Sequence, residues 1–153
     1  MPARLAALAL VVSAAALPLG AQLPGLGFSV GVQGARPGGD FEQVGDGGSR
    51  DTGYGAYLGA HLDAVLLGVE ARVEGLRFGG PADASTTVLG ARIGPRLGGG
   101  PIRFGFDIGR YTEIDRTGYT PNLSVALGPL EAGAGVTFFS GGRWASLSAG
   151  LRF

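Results

Sequence analysis

The stretch Ala145-Ser146-Leu147-Ser148-Ala149-Gly150-Leu151-Arg152-Phe153 alternates apolar residues with small or polar ones throughout. Because successive side chains of a β-strand point to opposite faces, this alternation predicts a strand with one apolar and one polar face. The apolar face carries Leu147, Ala149, Leu151 and the aromatic Phe153. The stretch therefore predicts a strand whose two faces meet different surroundings.

The same two-residue period recurs along the chain between clusters of turn-forming residues, and it predicts eight strands. An even number of antiparallel strands can close into an up-and-down barrel with both chain ends on one side. The fold class expected from the sequence is therefore an all-β, eight-stranded antiparallel barrel. The predicted strands are Gly27–Ala35, Tyr54–Leu62, Val65–Phe78, Thr86–Leu97, Ile102–Tyr111, Tyr119–Leu127, Leu130–Phe139 and Trp144–Phe153.

The first residues have the order of a secretory signal peptide. The lone Arg4 precedes an apolar run, Leu5–Leu17, and the small residues Gly20 and Ala21 follow it. We expect a signal peptide at residues 1–21 and a single barrel domain at residues 22–153, with cleavage after Ala16 as the alternative site. A retained helical anchor is the other alternative, but it needs about 20 apolar residues and Pro18 shortens the run.

Composition excludes several classes of protein. The formal net charge is zero, so the chain lacks the basic surface by which proteins bind nucleic acid. Cysteine is absent, so neither disulfides nor a lipid attached through cysteine can stabilise the fold. Glycine supplies 31 of the 153 residues, and these glycines lie between regularly spaced apolar residues, which is typical of many short strands.

The two faces of the predicted strands differ completely in charge. One face is apolar and uncharged, whereas the other alternates glycine with ionisable residues. An eight-stranded barrel has room inside for long side chains only where neighbouring inward positions are empty, so the glycines place the charged face inside. The inward charges are expected to be Glu70, Arg72, Glu74, Arg92, Arg96, Arg103, Asp107, Glu131 and Arg152.

This orientation predicts a transmembrane barrel with its apolar face in lipid. The alternative is a soluble, secreted barrel of lipocalin type, which turns its apolar face inward around a small apolar ligand. For the inward charges, the sequence favours a plug of ion pairs over a gated proton or ion path, because eight strands leave no aqueous channel. Height along the strands predicts a Glu131–Arg152 pair and a cluster of Glu70, Arg92 and Asp107.

The connections between strands alternate in length, and the longer ones are expected to face outward. Seven aromatic residues flank these longer loops and are expected to form a girdle at the outer membrane interface. The first loop carries Asp40, Glu42, Asp46 and Asp51 against Arg36 and Arg50, so it is expected to be a flexible, mildly acidic surface. The aromatic residues are Tyr54, Phe78, Tyr111, Tyr119, Phe138, Phe139 and Trp144.

The closing Phe153 strand and the eight-strand layout with alternating loops resemble the small OmpA/OmpX-type barrels of bacterial outer membranes, over residues 27–153. The resemblance implies a bacterial outer-membrane location, contact with outer-membrane lipid, and outer loops able to meet an extracellular partner. It also implies that the barrel assembly machinery recognises Phe153 together with Leu151, Ala149 and Leu147. Members of this group serve as adhesins, envelope stabilisers, resistance factors and, in a few cases, lipid-modifying enzymes, and the fold alone does not choose among these roles.

Enzymatic and metal sites find little support in the sequence. The single histidine, His61, is placed near the periplasmic end of its strand, and Ser146 and Ser148 have no histidine on a neighbouring strand. Residues 46–51 echo a calcium loop but lack its full ligand series. We therefore expect a non-enzymatic outer-membrane protein, without cofactor or metal, that has an envelope-structural or surface-interaction role.

Overall fold

The structure is a computed structural model that describes residues 25–45, 47–81 and 85–153. The predicted signal peptide at residues 1–21 and Asp46 of the first loop lie outside the described residues. The regular secondary structure of the described residues is almost entirely β-strand. Its strands are β1 (Leu26–Gly38), β2 (Gln43–Val44), β3 (Gly48–Ser49), β4 (Gly53–Asp63), β5 (Leu67–Phe78), β6 (Thr86–Leu97), β7 (Ile102–Tyr111), β8 (Arg116–Leu127), β9 (Leu130–Phe139) and β10 (Gly142–Arg152).

Eight of these strands form a closed antiparallel barrel in the order β1-β10-β9-β8-β7-β6-β5-β4. The eight predicted strands and the all-β barrel class are confirmed. The barrel closes where β1 pairs with β10, from Ser29 opposite Arg152 to Gly38 opposite Arg143. Beyond β10, the backbone N–H of Phe153 donates to the carbonyl of Phe28 at 2.8 Å, and the N–H of Phe28 donates to the carbonyl of Phe153 at 3.0 Å. The last residue therefore extends the seam.

The two ends of the barrel differ in their connections. At one end, here called the loop end, the strands are joined by residues 39–52, 79–85, 112–115 and 140–141. At the other end, called the turn end, residues 64–66, 98–101 and 128–129 make tight connections. Among the described residues the helical structure is a single 3-10 turn, Gly39–Phe41, and none of it is long and apolar enough to cross a membrane.

The barrel buries polar side chains and exposes apolar ones. Glu70, Arg72 and Glu74 on β5 are buried, whereas Val69 and Val73 between and beside them are about half exposed. The same alternation holds on the other barrel strands, where the exposed apolar residues include Val32, Ile93, Phe104 and Leu147. The apolar face therefore covers the outside of the barrel, apart from four outward-facing arginines near the loop end, and the charged face lines the interior.

The interior at the loop end is filled by apolar and aromatic side chains. Trp144 is 1 % exposed, and its rings lie 4.9 Å from the ring of Tyr111, 4.9 Å from that of Phe139 and 5.8 Å from that of Phe78, centre to centre. We call this group the aromatic plug. Its buried members are Ala35, Phe41, Leu76, Phe78, Val88, Tyr111 and Trp144, with Ile114 and Phe139 packed against them.

The aromatic plug corrects the predicted outer girdle. Tyr54, Tyr119 and Phe138 do lie exposed on the outside, but Phe78, Tyr111 and Trp144 point inward and Phe139 packs against them. The reason is the strand period: Phe78 lies four residues after inward Glu74, and Tyr111 lies four residues after inward Asp107. Where no charged pair fills the barrel, large apolar side chains must occupy the same space.

The first loop is also more ordered than predicted. It contains the 3-10 turn and a short hairpin formed by β2 and β3. Phe41 from that turn is buried in the aromatic plug, 5.1 Å from Phe78 and 5.4 Å from Phe139 between ring centres. Arg50 holds it there, because its guanidinium donates to the Phe41 carbonyl at 2.6 Å and lies 4.5 Å above the Phe41 ring. The loop therefore folds back over the mouth of the barrel.

Candidate functional site

The centre of the barrel interior is organised around Arg96. Its guanidinium grips Asp107 with two hydrogen bonds, from Nη1 to Oδ1 at 2.5 Å and from Nη2 to Oδ2 at 3.1 Å. Its Nε donates to Oε2 of Glu70 at 3.2 Å. Asn122 donates to the Oδ2 atom of Asp107 at 3.0 Å. A planar guanidinium suits this role because it can donate to two carboxylates in fixed directions.

A second group lies closer to the aromatic plug and centres on Glu74. The Oε2 atom of Glu74 lies 3.5 Å from Arg72 Nε and 3.5 Å from Arg92 Nη2. Gln33 donates to the same oxygen at 3.1 Å and accepts from Arg72 Nη2 at 2.8 Å. Arg92 joins the two groups, because its Nη1 lies 3.4 Å from Asp107.

Two aromatic side chains extend this second group. The Tyr111 hydroxyl donates to Oε1 of Glu74 at 3.3 Å, which connects the charges to the aromatic plug. The guanidinium of Arg72 lies 3.4 Å from the centre of the Tyr57 ring, a cation–π contact. Along the barrel towards the loop end, the ion pairs are therefore followed directly by the aromatic plug, with no layer of unpaired charge between them in the described chain.

The third group lies at the turn end. Arg152 donates to Glu131 at 3.0 Å and to Asp63 at 2.5 Å. Arg103 lies 3.2 Å from the same Asp63 carboxylate, and His61 lies 3.7 Å from it. These contacts connect β4, β7, β9 and β10 across the barrel. Removal of any one arginine would therefore disturb several strands.

Glycine makes the space that these long side chains need. A Cβ atom at Gly94 would lie 2.5 Å from Oδ1 of Asp107, and one at Gly109 would lie 2.8 Å from Cβ of Arg92. Both separations are shorter than van der Waals contact, and the Arg92 atom is close to its own backbone. The alternation of glycine with charge therefore has a steric cause.

The structure places all nine predicted inward charges inside the barrel. Seven are buried: Glu70, Arg72, Glu74, Arg92, Arg96, Asp107 and Glu131. Arg103 and Arg152 are partly buried near the turn end, where the side chains are 20 % and 10 % exposed. The predicted Glu131–Arg152 pair is confirmed. The predicted Glu70–Arg92–Asp107 cluster is partly wrong, because Arg92 pairs with Asp107 and Glu74 whereas Glu70 pairs with Arg96.

Asp63 is the interior carboxylate that the sequence reasoning missed. The predicted strand ends at Leu62, but Asp63 is the last residue of β4 and continues the inward series of Tyr57, Gly59 and His61. With Asp63 included, the interior network holds five carboxylates and five guanidinium groups. The carboxylates are Asp63, Glu70, Glu74, Asp107 and Glu131, and the arginines are Arg72, Arg92, Arg96, Arg103 and Arg152.

The interior network is suited to holding the barrel together. Each of these ten groups has an opposite charge within 4.0 Å, and buried charges need such partners to offset their desolvation. A cavity of about 20 Å³ remains beside Asn122, Ser146 and Ser148, which is room for about one water molecule. Several buried polar atoms of the interior, including Ser29 Oγ and Tyr57 Oη, have no hydrogen-bond partner among the described residues.

The remaining candidate residues lie apart from one another. His61 is buried at the turn end beside Asp63, on β4, whereas Ser146 and Ser148 lie on β10, which pairs with β1 and β9. Within residues 25–45, 47–81 and 85–153, no group of three histidine, aspartate or glutamate side chains is arranged to hold a metal ion. Comparison of the chain with protein-family models and with curated proteins finds no match.

Proposed function

We propose that this chain is an integral outer-membrane barrel of the small OmpA/OmpX-like kind, delivered by a cleaved signal peptide. It is a non-enzymatic protein with an envelope-structural or surface-interaction role, and its interior is plugged by ion pairs rather than open. One observation carries the proposal: the outside of the barrel is apolar while its interior is charged.

The energetics of the outer face support a lipid environment. Soluble monomers rarely expose a continuous apolar patch larger than a few hundred Å². Here the outward positions of all eight barrel strands are dominated by large apolar residues and alanine, and Leu147, Phe104 and Val32 are each more than half exposed. In lipid this surface needs no covering, and the closed ladder leaves no unpaired strand edge.

The alternative, a soluble lipocalin-like barrel, requires an apolar interior cup for its ligand. The described interior is instead occupied by ion pairs from its centre to the turn end and by the aromatic plug at the loop end. No specific observation therefore favours the alternative. The interior ion pairs also support a closed plug over an ion path, because the aromatic plug fills the barrel beyond them.

Phe153 tests both the assembly signal and the membrane location. We expect a chain lacking Phe153 to be secreted and processed but not inserted. Phe153 extends the β1–β10 seam, and we propose that the assembly machinery recognises it. Cell fractionation with detergent extraction measures the inserted fraction. Phe138→Ala, which also removes an outward aromatic ring, is the control and should insert normally. Undiminished insertion without Phe153, or recovery of the parent chain in the aqueous fraction, would contradict the proposal.

A further inference from the structure

The outside of the barrel carries charge at one level only. Among the outward-facing positions of the eight barrel strands, the charged residues are all arginines, and all lie at the loop end. They are Arg36 on β1, Arg77 on β5, Arg110 on β7 and Arg143 on β10. At the turn end the corresponding positions are apolar, for example Phe28, Leu67 and Leu151.

The height of these arginines matches the edge of a bilayer core. Arg36 ends the outward row that begins at Phe28, and Arg143 ends the row that begins at Leu151. Strands that rise about 3.3 Å per residue and tilt by about 40° carry these rows roughly 20 Å along the barrel axis, close to the apolar band of membrane barrels. If the barrel spans a membrane as proposed, the arginines lie among the lipid headgroups of one leaflet.

Two of the four arginines lie side by side. The register places Arg36 opposite Ala145 and Gly38 opposite Arg143, so the two arginines are diagonal neighbours on paired strands. The Arg143 side chain leans towards β1, and its Nε lies 3.4 Å from the point where a Cβ on Gly38 would be. Within the described part of the chain, neither arginine has a carboxylate within 4.0 Å. Two unneutralised guanidinium groups at this spacing can share one doubly charged group.

The other two arginines are arranged differently. Arg77 and Arg110 are separated by the whole of β6. The charge of Arg110 is also compensated by an ion pair with Asp115. They therefore serve as a control pair of two arginines at the same level, without the convergence of Arg36 and Arg143.

An apolar groove begins beside Arg36 and Ala145, and Ala145 is the next outward residue after Arg143 on β10. It has a volume of about 710 Å³ and crosses β1, β10, β9 and β8 on the outside of the barrel. Small outward residues such as Gly34, Ala145 and Ala134 make its floor, and Leu123 and Leu147 flank it. A cationic pair above an apolar groove has the chemistry of a site for one anionic lipid.

We propose that Arg36 and Arg143 bind the phosphate of an anionic membrane lipid whose acyl chain lies in the groove beside Gly34, Ala145 and Ala134. Arginine favours phosphate because its planar donors can form two parallel hydrogen bonds to the oxygens. This site rests on the proposed function, since the groove and the arginines meet lipid only if the barrel is inserted. The site would select the lipids that surround the barrel.

The test titrates refolded protein in a neutral detergent with two-chain phosphatidic acid and counts bound lipid by native mass spectrometry. The parent, the R36Q/R143Q variant and the R77Q/R110Q variant are compared. We expect R36Q/R143Q to bind at least about tenfold more weakly, because an arginine near anionic lipid contributes about 1 kcal/mol. The matched R77Q/R110Q variant should stay within about threefold of the parent, and glycerol 3-phosphate should not compete, because it lacks the acyl chain.

Insertion into phosphatidylcholine vesicles is measured in parallel and separates the two proposals. A parent chain that does not insert contradicts the proposed function. A parent chain that inserts but shows no loss of lipid binding in R36Q/R143Q contradicts only the lipid site. Equal weakening in both double variants would show a diffuse surface potential, and full competition by glycerol 3-phosphate would show a site for free phosphate; either result overturns the inference.

Discussion

Replacement of Arg96 by leucine should lower the free energy of unfolding by about 3 to 5 kcal/mol, the usual cost of breaking a buried ion pair. Arg96 connects Glu70 and Asp107, and its removal leaves two buried carboxylates with fewer partners. Urea titration of the refolded protein in lipid vesicles, followed by the fraction of folded barrel, measures the change.

Two further variants make the Arg96 result interpretable. Arg110→Leu makes the same exchange in an ion pair that is 59 % and 84 % exposed, where pairs contribute about 1 kcal/mol or less. Arg96→Lys keeps the charge but loses the two-pronged grip, so an intermediate loss is expected. Equal stability of Arg96→Leu and Arg110→Leu would show that the interior network contributes little to the barrel.

Replacement of Trp144 by alanine should cost about 3 to 5 kcal/mol, the range for truncating a large buried aromatic side chain. Trp144 contacts Phe41, Phe78, Tyr111 and Phe139, so its loss opens a cavity in the aromatic plug. The first loop should loosen as well, because Phe41 loses one of its three aromatic partners. The measurements are urea unfolding and the rate of trypsin cleavage after Arg50.

Phe138→Ala is the matched control for the aromatic plug. Phe138 lies on the adjacent strand, opposite Arg143, but it points outward and is 45 % exposed. We expect a smaller loss of stability and an unchanged rate of cleavage after Arg50. If Trp144→Ala and Phe138→Ala behave alike in both measurements, the inward packing of Trp144 is wrong.

The strand period predicted most of the barrel. The strands Thr86–Leu97, Ile102–Tyr111 and Leu130–Phe139 have the predicted bounds, because turn residues flank them on both sides. The largest differences occur at the loop end, where β1 and β8 are each three residues longer than predicted. β1 continues to Gly38 through Pro37, although a proline lacks the N–H that a strand ladder needs, because its neighbours Arg36 and Gly38 still pair with Ala145 and Arg143.

The interior contents were less predictable than the strands. The same alternation that places Glu74 inside also places Phe78 inside, yet its aromatic side chain beside a long loop predicts a place in the outer girdle. The strand period, rather than the residue type, determines which side chains face the interior. The ion-pair partner of Glu70 depends on the stagger between β5 and β6, which a single sequence does not specify. Glu70 lies opposite Gly94 in the register, and its carboxylate pairs with Arg96, two residues further along β6.

The central claim, that the apolar face meets lipid and the polar face fills the interior, is tested most directly on β10. The chain has no cysteine, so a spin label on one introduced cysteine is unambiguous. In vesicles, labels at Ala145, Leu147 and Ala149 should collide often with oxygen and rarely with a water-soluble nickel complex. Labels at Ser146 and Ser148 should collide rarely with both. Frequent nickel collisions at Ala145, Leu147 and Ala149 would contradict the claim.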